Sequence, residues 1–109
     1  MKCTAQVQAG VCGFATKVTA DSPDDQIVTL NIEADCDKIG SLAAALNGKP
    51  IDGYDEIAQG FDGVVMSAVR SRLSGCCAGC AVPAGIFKAL QVAARLALPR
   101  DVSIQLTSE

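Results

Sequence analysis

The hydrophobic pattern changes its period once along the chain, and this change most constrains the fold. Up to residue 33, apolar side chains alternate with polar ones, which is the period of a half-buried strand. From residue 37 the apolar residues recur at helical spacing, beginning with Ile39, Leu42 and Leu46. Strands followed by helices are typical of an α+β fold. We therefore expect a three-stranded antiparallel meander followed by helices packed on one face.

Turn and capping residues set the boundaries of these elements. Strands are predicted for residues 2–8, 14–19 and 27–33, helices for 37–46, 62–73 and from 83 to before 99, a helical turn for 51–59, and a short final strand for 101–107. Gly48 and Pro50 end the first helix, and Pro83 suits the first position of the last one. At this length, we expect residues 1–109 to form a single domain.

Charge and composition exclude several classes of protein. The net charge is −3 and the nine basic residues are scattered, which argues against a nucleic-acid surface. No continuous apolar run reaches the length of a membrane span, and no apolar signal segment opens the sequence. We therefore expect a cytoplasmic protein. In a reducing compartment, cysteines favour metal binding or redox chemistry over a disulfide framework.

Five of the six cysteines lie in turn-like segments at the ends of predicted elements. They are Cys12, Cys36, Cys76, Cys77 and Cys80. The chain has no histidine, so a metal site would consist of sulfur ligands, with carboxylate as the only other anion. In a meander, the start of the second strand and the end of the third lie at the same end of the sheet, which places Cys12 near Cys36. The sequence does not place the last helix beside them.

The cysteine-rich loop offers two alternative ligands beside Cys80. Cys77 and Cys80 form a C-x-x-C pair, so Cys77 is favoured over the adjacent Cys76. Cys80 lies just before a helix, where exposed amides and the helix dipole favour the thiolate. Cys3 alternates with apolar residues on a strand and is interpreted as a small buried hydrophobe. The predicted site is therefore Cys12, Cys36, Cys80 and either Cys77 or Cys76.

This order of parts resembles the U-type iron–sulfur scaffold proteins, the IscU/NifU amino-terminal family. That family has a three-strand meander followed by helices, with three ligand cysteines. Cys12-Gly13, Cys36 and Cys80 match them in order, and they are separated by 24 and 44 residues, close to the family's spacing. The resemblance covers residues 2–97 and implies an iron–sulfur cluster, [2Fe–2S] or [4Fe–4S], in a protein of cluster assembly or carriage. It also implies a protein partner in sulfur or cluster transfer. The oligomeric state of the chain stays open, with a homodimer as one alternative.

The sequence departs from the family at its non-cysteine ligands. The family's Asp after Cys-Gly is Phe14 here, and its His before the last cysteine is Gly79. Asp35 and Asp37 replace the glycines around the second thiol. The physical consequence is an all-thiolate ligand set, which should hold a cluster more firmly than a mixed set.

Three alternatives remain open at this stage. Four thiolates also suit structural zinc, although its usual pattern has two C-x-x-C pairs rather than one. A sulfur-carrier or redox protein would need only an exposed reactive thiol such as Cys80. Without histidine, Cys–His activation is impossible, so we do not expect an enzyme of that type. A disulfide-linked binding module is disfavoured by the expected reducing location.

Overall fold

A computed structural model describes the whole chain, residues 1–109. The strands are β1 (Lys2–Gln8), β2 (Ala15–Asp21), β3 (Ile27–Ala34) and β4 (Ile51–Asp52), and the helices are α1 (Asp37–Leu46), α2 (Gly53–Gln59), α3 (Val64–Arg72) and α4 (Val82–Ala93). The fold is α+β, as predicted: an antiparallel sheet whose first three strands form a meander, followed by helices.

The sheet has the order β1-β2-β3-β4, and neighbouring strands are antiparallel throughout. Ala5 pairs with Val18, and Val18 pairs with Ile32, so these three side chains share one face. The two-residue strand β4 extends this sheet by pairing Ile51 with Val28. The segment 51–59, predicted as a helical turn, therefore supplies an edge strand as well as helix α2.

The core lies between one face of the sheet and the helices. Helix α4 packs on β1 and β2, and α1 packs on β3. The alternation in β2 and β3 buries every second side chain, while the opposite face is polar and largely exposed. All 18 residues of the buried cluster are Ala, Val, Ile or Leu. The alternating pattern thus works as expected, since it gives the sheet one face for the helices and one for solvent.

Two contacts fix the direction of α4 along the sheet. A Cβ on Gly85, near the start of α4, would lie 2.5 Å from Cγ2 of Val7, near the end of β1. Beyond the other end of α4, Arg95 contacts Asp25 of the β2–β3 turn, with 3.0 Å between Nε and Oδ1. Helix α4 therefore begins near the end of β1 and finishes near the β2–β3 turn.

The predicted final strand, residues 101–107, is not formed in the structure of the single chain. No helix or strand follows α4, and Val102, Ile104 and Leu106 are 58%, 72% and 93% exposed. The alternating pattern is present in these residues, but a strand also requires backbone hydrogen bonds to a neighbouring strand. Here the tail makes no such pairing, and the fourth strand of the sheet is β4 instead.

The segment Gly75–Ala93 is long and apolar enough, by length and composition alone, to cross a membrane, with a mean hydropathy of 1.5. Most of this segment is α4, whose Ile86, Leu90 and Ala93 are buried in the core. Core helices of soluble proteins have the same composition, so the segment is weak evidence for a span. The absence of a membrane span stays a prediction.

Candidate thiol site

Three separate segments that carry cysteines lie towards the same end of the sheet. Gln8 pairs with Ala15 across the β1–β2 turn, and Thr16 pairs with Ala34 at the end of β3. The turn that holds Cys12 and the segment that leads to Cys36 therefore leave the sheet at the same end. Helix α4 begins over Val7 at this end, so Cys80 also approaches it.

The β1–β2 turn presents Cys12 to solvent. Residues Gly10–Cys12 form a single 3₁₀ turn, closed by a 2.9 Å hydrogen bond from the Gly13 amide to the Gly10 carbonyl. Both glycines have φ of 74°, a left-handed conformation that other residues adopt only with strain. Cys12 is exposed at the tip of this turn beside the fully exposed Val11. The turn therefore leaves the Cys12 thiol free to approach a ligand.

Cys36 occupies the N-cap position of helix α1. Its backbone is extended, and its carbonyl accepts a 2.8 Å hydrogen bond from the amide of Gly40. The side chain is half-buried and packs against the core cluster. Cys36 is thus held by helix α1 at the end of the sheet that also carries the Cys12 turn.

The cysteine-rich loop is a 3₁₀ segment, Gly75–Gly79, between α3 and α4. Its amide at Cys80 donates to the carbonyl of Cys77 over 3.1 Å, which fixes the turn. Cys76 is exposed, whereas Cys77 and Cys80 are half-buried and pack against the core. The amide of Val82, in the first turn of α4, donates to Sγ of Cys80 over 3.5 Å. The start of α4 therefore directs an N–H group at the sulfur of Cys80, as its position before the helix suggested.

Cys77 and Cys80 line a common groove of about 590 Å³ along α3 and α4. Apolar side chains make most of its wall, and besides the two cysteines they are Phe61, Met66, Val69, Leu73, Ala78, Pro83, Ala84 and Phe87. Two cationic side chains, Arg70 and Lys88, also line it. The groove is thus apolar with positive groups at its rim. The sequence does not predict this groove because the packing of α3 against α4 is a tertiary contact, although Met66 and Arg70 have the i, i+4 spacing of one helix face.

Cys3 lies outside this group of thiols. It pairs with Ala20 in the interior of β1 and packs half-buried against the core, and its burial raises the pKa of its thiol. A raised pKa keeps Cys3 in the neutral thiol form, which suits a small apolar side chain. The interpretation of Cys3 as a structural residue agrees with this placement.

The cysteines have the right chemistry to be metal ligands, but they do not lie close enough together in this structure to form a metal site. All six cysteines are free thiols, and thiolate is the ligand of iron–sulfur clusters and of structural zinc. No group of three Cys, Asp or Glu side chains is close enough to hold a metal ion as the side chains now lie. The cysteine ligand set therefore stays a prediction.

One comparison with known proteins identifies a family. Residues 3–106 match the model of a family of unknown function, DUF6951. The chain belongs to this family. Neither the curated proteins nor the solved structures contain a significant match. The family match covers all of the secondary structure except the first residue of β1, together with all six cysteines.

Proposed function

We propose that this protein binds an iron–sulfur cluster through Cys12, Cys36, Cys80 and either Cys77 or Cys76, and that it acts in cluster assembly or carriage. The observation that carries the proposal is the arrival of three cysteine-bearing segments at one end of the sheet. A site of this kind would draw its ligands from segments that are distant in sequence, which distinguishes it from a chance run of neighbouring cysteines.

The donor chemistry supports a cluster that the protein retains firmly. With no histidine in the chain, a soft-metal site must use thiolates, and four thiolates complete the coordination of a [2Fe–2S] or [4Fe–4S] cluster. When bound, such a cluster would supply one-electron redox chemistry and transferable iron and sulfide. The resemblance to the U-type scaffolds favours transfer, and the all-thiolate set favours retention.

The chain's own residues would hold the cluster in different ways. Cys36 and Cys80 would be the fixed ligands, since both pack against the core beside a helix start. Cys12 would come from an exposed glycine turn, which can close over a metal. The loop provides the fourth thiolate: Cys77 has the C-x-x-C spacing, and Cys76 has the greater exposure.

The deciding experiment is the iron and acid-labile sulfide content of protein purified without oxygen, with its visible spectrum. We expect iron and sulfide in comparable amounts in the wild type and a large loss of both in Cys80→Ser. The matched control is Cys3→Ser, which removes a thiol from the same chain outside the site and should keep the metal. Unchanged metal content in Cys80→Ser would overturn the proposed site.

A second measurement separates cluster carriage from stable binding. Loaded protein is incubated with an apo-acceptor that requires a cluster, and the acceptor's activity is followed. Recovery of activity supports transfer to a protein partner, whereas no transfer from a loaded protein leaves only the binding role.

Zinc is the alternative resident metal. Zinc without sulfide in the same analysis would indicate a structural Cys₄ site, and neither metal nor sulfide after reconstitution would indicate a sulfur-carrying or redox thiol. In each case we propose a cytoplasmic protein, because free thiols persist in a reducing compartment.

A further inference from the structure

Strand β1 forms an open edge of the sheet, and its hydrogen-bond pattern defines which residues face outward. Met1 and Ser22 exchange two backbone hydrogen bonds, of 2.7 and 3.1 Å, and the amide of Ala9 donates to the carbonyl of Phe14 over 3.0 Å. Bonded and non-bonded pairs alternate in an antiparallel ladder. The odd-numbered residues of β1 therefore bond to β2. The even-numbered residues direct their amides and carbonyls to the open edge, and they are Lys2, Thr4, Gln6 and Gln8.

The inner side of this edge is only partly covered. Cys3, Ala5 and Val7 face the core but remain half-buried, whereas the corresponding side chains of the central strand β2 are buried. A further strand beside β1 would complete both the backbone bonding and the apolar row. Natural sheets rarely leave such an edge unprotected, because it is a template for another strand.

The C-terminal tail has the pattern that this edge requires. Val102, Ile104 and Leu106 alternate with polar residues, and all three are exposed. Placed beside β1, these side chains would continue the row of Cys3, Ala5 and Val7, and the polar residues of the tail would join the polar outer face. The family match extends to residue 106 and so includes this segment.

Charge also favours this pairing. Strand β1 carries Lys2 and no carboxylate, whereas residues 101–109 carry Asp101 and Glu109 and no basic side chain. The exposed edge and the exposed tail are thus complementary in backbone groups, in apolar pattern and in sign of charge.

We propose that residues 101–107 dock as a strand on the β1 edge of a second copy of this chain, so that the protein forms a symmetric dimer by exchange of tails. The tail of the same chain leaves the outer edge of β1 unpaired in the structure, and a twofold exchange pairs the β1 edges of both copies at once. This proposal does not depend on the thiol site, because no ligand cysteine takes part in the contact.

Light scattering coupled to size exclusion tests the proposal, with a reductant present to exclude disulfide-linked dimers. We expect a wild-type mass of twice 11.2 kDa and a monomer after deletion of residues 101–109. Ile104→Asp should also give a monomer, since it places a charge in the apolar row. Ser103→Asp is its matched control on the polar side of the tail, and it should remain a dimer.

The edge itself is tested with Gln6→Pro and its control Gln6→Ala. Proline removes an outward-facing amide and leaves the β1–β2 hydrogen bonds intact, so a folded monomer is expected. Alanine retains this amide and should retain the dimer. Circular dichroism checks that both variants fold.

A mixing experiment tests whether the tail of one chain binds the β1 edge of another. Protein lacking residues 101–109 has a free edge, and Gln6→Pro protein has a free tail, so the two should form a one-to-one heterodimer although each alone is monomeric. A wild-type monomer at every concentration, a dimer that survives tail deletion, or a mixture that stays monomeric would overturn the proposal.

Discussion

The buried side chain of Glu56, in α2, caps the first turn of the next helix, α3. Its side chain is 1% exposed and accepts hydrogen bonds of 2.8 Å from the amides of both Val64 and Val65, in the first turn of α3. The N-cap residue of α3 is Gly63, which has no side chain to satisfy these amides. A Cβ on Gly63 would lie 2.6 Å from Oε2 of Glu56, so glycine leaves space for the carboxylate.

Substitution Glu56→Gln should lower the free energy of unfolding by about 1.5–3 kcal/mol, since it replaces a charged acceptor of two amides with a neutral amide that has one acceptor oxygen. The control is Asp55→Asn, an exposed carboxylate one residue away, which should change stability by less than about 0.5 kcal/mol. Urea unfolding measures both variants. Equal stability of Glu56→Gln and the wild type would contradict this role for Glu56.

The contact between α4 and β1 depends on a glycine in the helix. Gly85 lies against Val7, and any larger side chain would meet the valine methyl group. Gly40 in α1 is also a helical glycine, but a Cβ there would meet no atom within 4 Å. Both positions hold a glycine inside a helix but differ in packing. Substituting each one therefore separates the effect of helix propensity from the effect of packing.

Gly85→Ala should destabilise the protein by about 1–2 kcal/mol, because overpacking against Val7 exceeds the gain in helix propensity. Gly40→Ala should stabilise it by about 0.5–1 kcal/mol, since alanine adds helix propensity without a clash. Chemical denaturation provides both values. If overpacking is the cause, adding Val7→Ala to Gly85→Ala should restore part of the stability that Gly85→Ala removes. No restoration in this double variant would contradict the packing explanation.

At the scale of the whole molecule, carboxylates at the end of the sheet opposite Cys12 and Cys36 make the fold sensitive to acid. The backbone amides of Ile27 and Gln26 both donate hydrogen bonds to Asp24 and lower its pKa, and the bond from Ile27 has the larger effect. Hydrogen bonds from the side-chain amide of Gln26 and the backbone amide of Asp55 lower the pKa of Asp52, and the bond from Gln26 has the larger effect. Both carboxylates therefore stabilise the fold in their ionised form.

The protein should lose stability as the pH falls below about 4. A carboxylate whose pKa is lower in the folded state contributes fully above its ordinary value near 3.9, and this contribution disappears as the pH falls through the lowered pKa. Thermal unfolding between pH 6 and pH 2 should show a smaller acid loss in Asp24→Asn and in Asp52→Asn than in the wild type. Asp21→Asn, at an exposed carboxylate, is the control and should follow the wild type.

Local signals were enough to predict most of the elements. The alternation in residues 2–8 predicts β1 with its observed bounds, and that in residues 27–33 predicts β3 to within one residue. Gly48 and Pro50 correctly predict that α1 ends before them. The placement of Cys12 and Cys36 at the same end of the sheet also follows from the sequence, because it needs only the geometry of a meander. Each of these features depends on residues that are close along the chain.

Contacts between distant residues decided the rest. The side chain of Asn47 accepts from the amide of Ile32 over 2.8 Å and donates to its carbonyl over 3.2 Å, and no sequence pattern indicates this pairing. The same holds for Glu56 at the start of α3 and for the approach of Cys80 to the end of the sheet.

The sequence by itself determined the α+β order, the polar and apolar faces of the sheet and the spacing of the thiols. Only the tertiary structure decided the direction of α4, the groove beside Cys77 and Cys80, and the unpaired state of residues 101–107. The physical reason is that periodicity and capping act within a few residues. Packing and strand pairing instead require a partner surface, which exists only after the chain has folded.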